Sequence, residues 1–118
     1  MATSKGGHFK LFVKLYQYHI QKGKENEFFA IQDQVSEIYR KHINFQTTYL
    51  QSKTDETKWL EIAKYKDEDD YNQSIQLINA EEEVHTLFHA FQLLLVDELR
   101  EISEEDFTEK KCIKYNSR

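Results

Sequence analysis

Lys58-Trp59-Leu60-Glu61-Ile62-Ala63-Lys64-Tyr65, running into Asp67-Glu68-Asp69-Asp70-Tyr71, is the stretch whose reading decides the fold. Its first part alternates at a period of two, the spacing that sends successive side chains to opposite faces of an extended strand. The alternation stops at a run of acids, which stabilise the positive end of a helix dipole. The stretch therefore reads as a strand feeding a helix. The same switch occurs earlier, where Phe9 to Ile20 gives way through Lys22-Gly23-Lys24 to an amphipathic segment. The chain thus looks like two comparable halves.

Working outward, Phe9, Leu11, Val13 and Leu15 share one face of the first strand, and Phe12, Lys14, Tyr16 and Tyr18 share the other. The aliphatic face is expected to lie under helices, leaving the ringed face as a second, partly dry contact surface. Gly23 permits a turn, and Phe28, Ile31, Val35, Ile38, Tyr39 and His42 then recur at helical spacing, which predicts a helix over 24–42. Phe45, Thr47 and Tyr49 alternate with Gln46, Thr48 and Leu50, predicting a strand that pairs as a hairpin with 59–65 because the 53–56 loop is too short for a crossover. Asp67 is expected to cap the next helix, with Asp70 in a box-like position and Tyr71, Ile75 and Ile78 as its apolar stripe. A break follows near Asn79-Ala80. Val84, Leu87, Phe88, Phe91, Leu94, Leu95 and Leu99 predict a further helix, and Phe107, Cys112, Ile113 and Tyr115 place a fourth strand in the tail from Ile102 to Tyr115.

These elements describe an α+β sandwich with an antiparallel four-stranded sheet covered by helices on one face. The 118 residues fit one domain, assigned to 9–118 behind a flexible lead at 1–8. Aromatics make up 14% of the chain against a modest 39% hydrophobic fraction, so a few large rings must build the interior. The net charge of -5 without a basic run argues against a nucleic-acid partner or an anionic membrane surface. A lone cysteine, Cys112, points to a reducing compartment, and the absence of a signal-like or bilayer-spanning apolar run predicts a cytoplasmic protein.

Tyr18-His19-Ile20-Gln21-Lys22-Gly23-Lys24-Glu25-Asn26-Glu27-Phe28 resembles the strand-to-helix transition of antibiotic biosynthesis monooxygenase-like domains. Trp59 to Asp67 resembles their third strand leading into the second helix. In element order the likeness spans residues 9 to 107. It implies a ferredoxin-like protomer that dimerises by placing two sheets face to face, a dimeric α/β barrel, with a small cavity between sheet and helices. Some members of that family oxygenate polycyclic aromatic substrates with molecular oxygen, using neither metal nor flavin; others degrade haem or have no known reaction. The haem-degrading branch's strand asparagine, helix tryptophan and iron-ligating histidine fall on Tyr16, Ser74 and Val84, with His85 one residue away. The histidine found early in the second helix of many relatives is also absent. Haem degradation is therefore not the expected activity, and no cofactor is expected.

Within that resemblance, Tyr16, Tyr65 and His85 are the expected catalytic residues, and Tyr18, Tyr49, Trp59 and Phe88 the expected substrate contacts. A phenol donates a proton or orients a carbonyl, and an indole stacks on an aromatic substrate. The competing reading is that these rings fill the core or the dimer seam. His85 and His89 lie one helical turn apart, yet no carboxylate motif accompanies them, and no metal site is assigned. The acids at 67–70 and 81–83 are read as helix starts, His19 and His42 as structural, and Cys112 as a lone thiol. The expected function is a cofactor-independent monooxygenase acting on a small aromatic molecule as a homodimer. The alternative is a non-catalytic dimeric domain that binds a small hydrophobic ligand or serves in stress.

Overall fold

The structure, a computed structural model, describes residues 10–117. The lead assigned to 1–8, and Phe9, lie outside the described residues. Strand β1 (Phe12–His19) is followed by helix α1 (Glu25–Tyr39), strands β2 (Phe45–Gln51) and β3 (Lys58–Tyr65), and helices α2 (Glu68–Asn79) and α3 (Glu82–Gln92). A 3-10 turn (Asp97–Leu99) leads to strand β4 (Ser103–Thr108). The sheet order is β2-β3-β1-β4, every pairing is antiparallel, and the fold is the ferredoxin-like α+β arrangement read from the sequence. Gly23 makes the first strand-to-helix turn at φ +81, a backbone region that a Cβ disfavours. At the second, the Asp67 carboxylate accepts from the Asp70 amide at 2.7 Å, capping α2 as expected.

Which face meets the helices is the reverse of the sequence reading. Phe12, Lys14, Tyr16 and Tyr18 of β1 stand opposite Tyr65, Ala63, Glu61 and Trp59 of β3, and this ringed face is the one covered. Val13, Leu15, Leu60 and Ile62 lie on the open side. Volume explains the inversion: the wide layer between sheet and helices is filled by Tyr18, Phe28, Trp59 and Phe91, whose rings make edge and tilted contacts at 4.9 to 6.2 Å. Short aliphatic side chains would leave that layer hollow. Lys14 belongs to the covered face too, because Glu104 and Asp106 of β4 take its ammonium at 2.7 and 2.6 Å.

Helix ends also differ. α1 stops at Tyr39, and the 40–43 turn sends His42 to Glu81 at 2.6 Å, fastening it to the α2–α3 junction. α3 stops at Gln92, so Leu94 and Leu95 do not continue its stripe. They turn back alongside the end of β1, where Leu95 bridges Ile20 and both leucines join the Tyr18, Phe28 and Trp59 cluster. β4 is shorter than the tail assigned to it, and Cys112, Ile113 and Tyr115 lie beyond it, exposed and without regular structure. Its acids tolerate pairing with β1 because Lys14 neutralises two of them.

Candidate functional site

Between the covered face and the helices lies a cavity of about 450 Å³, within the size range of sites for small organic ligands. β1 contributes Tyr16 and Tyr18, β3 contributes Glu61, β4 contributes Glu104, and the chain leading into β4 contributes Ile102. Ile31, Val35 and Tyr39 of α1 form one wall, and Leu87, Phe88 and Phe91 of α3 the other. The strand registers explain the floor. Glu104 of β4, Tyr16 of β1, Glu61 of β3 and Tyr49 of β2 form one continuous cross-strand row on the covered face.

Two carboxylates in that row have different surroundings. Glu104 is half-exposed and holds the Lys14 ammonium at 2.7 Å. Burial alone would weaken that ammonium's hold on its proton, but its hydrogen bonds to Asp106 and Glu104 prevail and raise its pKa. Glu61 forms no ion pair among the described residues; its Oε1 accepts from the Tyr18 phenol at 2.6 Å. Removal from water pushes the Glu61 carboxyl above its ordinary value, and the Tyr18 hydrogen bond only partly opposes the shift. Burial likewise pushes the Tyr16, Tyr18 and Tyr39 phenols up, so they stay protonated at neutral pH. The cavity therefore offers neutral phenolic donors beside one acceptor with a raised proton affinity.

Of the residues singled out from the sequence, Tyr16, Tyr18, His85 and Phe88 line this cavity. Tyr18 is buried at the floor, while Phe88, 49% exposed, stands at the rim with its ring stacked on Phe91. His85 is exposed there and its Nε2 lies 2.8 Å from the Asn79 carbonyl. Tyr65, Tyr49 and Trp59 do not line it. Tyr65 packs against Phe12 and Tyr71, Tyr49 donates to Gln32 at 3.0 Å, and Trp59 packs on Phe28 and Phe29. Among the described residues no group of three or more His, Cys, Asp or Glu side chains is placed to hold a metal ion, and His89 is exposed.

Glu61 was not among the residues singled out from the sequence. The signal was present, since in the alternation of 58–65 it shares a face with Trp59, Ala63 and Tyr65. An acid interposed among core side chains must be neutralised, hydrogen-bonded or functional.

No family model matches this sequence, and no curated protein matches it. Solved structures do. SnoaB, a cofactor-independent oxygenase from Streptomyces nogalater, is similar at a TM-score of 0.67 and 14% identity, over 90% of this chain and 99% of that one. A NIPSNAP family protein of unknown function from Agrobacterium tumefaciens is similar at 0.64 and 13%, over 86% and 89% of the two chains. A Nitrosomonas europaea protein, named provisionally as an antibiotic biosynthesis monooxygenase, is similar at 0.58 and 14%, over 89% and 91%. At such identities the common property is the fold, and the antibiotic biosynthesis monooxygenase-like fold read from the sequence is the one found. No helix among the described residues is long and apolar enough to cross a membrane.

Proposed function

We propose that this protein is a cofactor-independent monooxygenase acting on a small aromatic substrate. The observation that carries the reading is the juxtaposition, in one cavity of about 450 Å³, of largely buried phenols with a carboxylate that has no ion-pair partner among the described residues. An electron-rich aromatic carrying an acidic CH2 or OH becomes reducing enough to react with oxygen once deprotonated. For a CH2 group the balance is CH2 plus O2 giving C=O plus H2O. Phenolic donors suit the resulting enolate or phenolate oxygen. The shared fold of SnoaB lends support by analogy.

The assembly belongs to the same proposal. The open face of the sheet carries Val13, Leu15, Leu60, Ile62, Leu50 and Phe107, and a second copy laid against it would take this apolar band out of water.

A non-catalytic ligand-binding domain is the second reading, favoured by Trp59 and Tyr65, which pack in the core and leave the cavity to other residues. Oxygen-electrode measurements with a panel of anthrones and hydroquinones, with no metal or flavin added, separate the two. Uptake of one O2 per product supports the enzyme. Saturable binding without uptake supports the second reading, and neither binding nor uptake would overturn both.

A further inference from the structure

We infer that Glu61 is the general base of this site, that Tyr18 is its positioning residue, and that the substrate is a neutral aromatic whose proton Glu61 removes. The inference rests on the monooxygenase reading and deepens it. Geometry carries it. Glu61 lies at the middle of the cross-strand row, facing the cavity, with Oε1 held by the Tyr18 phenol at 2.6 Å and no cation among the described residues paired to it. Glu104, the other carboxylate of the lining, is bound by Lys14 and is committed to holding the edge strand. No lysine or arginine lines the cavity among the described residues. An incoming carboxylate or phosphate would therefore meet Glu61 without a counter-charge, whereas a neutral acid would meet a base and several hydroxyl donors.

The groups facing Glu61 are consistent with this role. β1 presents Tyr16 and Tyr18, β2 presents Tyr49, and α1 presents Tyr39, all kept protonated by burial. β4 presents Glu104, already paired, and α3 presents His85 at the far rim, bonded to Asn79. The phenols of this set, being protonated, face Glu61 as hydrogen-bond donors and not as bases. In the reaction Glu61 takes a proton from the substrate CH2, leaving the electron pair delocalised over the ring system. Oxygen accepts one electron and the two radicals join through a new C–O bond. The peroxide recovers the proton from Glu61. Glu61 then takes the second CH proton as the O–O bond breaks, C=O forms, and the departing hydroxide leaves as water with that proton.

The test separates the base from the oxygen chemistry. Anthrone is incubated with protein in deuterated buffer under argon, and exchange at its methylene is followed by proton NMR; oxygen uptake is measured in parallel in air. The expected result is exchange catalysed by the wild type, lowered by about 100-fold or more in Glu61→Gln, the usual size of a general-base contribution. Glu61→Asp should recover part of the rate. Tyr18→Phe removes the hydrogen bond that holds the Glu61 proton affinity down, so the acid limb of its rate profile should move to higher pH. A carboxylated anthrone should bind the wild type at least about tenfold more weakly than anthrone, and Glu61→Gln should narrow the gap. Exchange without oxygen uptake would sink the monooxygenase and leave the base standing. Undiminished exchange or turnover in a folded Glu61→Gln would sink the base and leave the oxygenase standing. Neither activity in the wild type would sink both.

Discussion

Tyr18 and Glu61 are joined diagonally across two strands: Tyr18 stands opposite Trp59 and Glu61 opposite Tyr16, yet the Tyr18 phenol reaches the Glu61 carboxylate at 2.6 Å. The diagonal leaves Glu61's own cross-strand partner, Tyr16, uninvolved in that bond and lining the cavity. It also makes the charge state of one buried acid a term in the stability of the whole fold.

Because burial raises the Glu61 pKa in the folded chain above its ordinary 4.5, the folded state holds that proton more tightly than the unfolded state does. Between the two values the native form binds more protons, so its stability must fall as pH rises through that window, the opposite of a salt-bridged acid. Glu61→Gln is expected to flatten this dependence and melt higher than the wild type at neutral pH. Thermal melts from pH 4.5 upward check it, and a variant that melts lower at neutrality would contradict the assignment of a costly buried charge.

Lys14 is 5% exposed and lies over the rings of Phe12 and Tyr71 at 5.5 and 5.1 Å while holding Glu104 and Asp106. Lys14→Met should destabilise the fold by about 3 kcal/mol, the lower end of the range for breaking a buried ion pair, since both acids are half-exposed and remain solvated. Amide exchange in β4 should accelerate more than exchange in β3. Equal protection of β4 in both proteins would show that backbone pairing alone holds the strand.

Phe28 has no exposed surface and touches Tyr18, Phe29, Tyr49, Trp59 and Phe91. Truncation to alanine is expected to cost about 3–5 kcal/mol, because a ring at the meeting point of these others leaves a void that rigid neighbours close poorly. Urea denaturation measures the loss, and a cost below about 1 kcal/mol would mean that the cluster repacks freely.

The open sheet face gives a prediction about association. Leu15 and Ile62 are cross-strand partners at the middle of that face, so Ile62→Lys places a charge where two copies would meet. Light scattering should give a dimer mass for the wild type and a protomer mass for the variant, with unchanged circular dichroism. A wild type that stays a protomer at every concentration tested would remove the proposed assembly.

The fold was legible because two period-two stretches each end at a visible helix start, Gly23 in one case and Asp67 in the other, and these are local signals. The covered face was not, since aliphatic residues and rings alternate on β1 and only the thickness of the layer above decides between them. Leu94 and Leu95 continue the α3 spacing in sequence while belonging to a return alongside the end of β1, a pairing with Ile20 that no local pattern announces. For the site, Tyr16, Tyr18, His85 and Phe88 were visible as cavity candidates. Glu61 was hidden by its own strand: its role depends on Tyr18, separated from it by 43 positions in the chain.

Glu104 of β4 and Ile102 just before it complete the lining of a cavity whose floor also holds Tyr16 of β1. During synthesis on a ribosome the binding chamber cannot exist until that final strand has emerged, however early the first half folds. A chain lacking 103–108 would leave the β1 edge open to any passing strand, so the same segment that completes the cavity also protects the sheet.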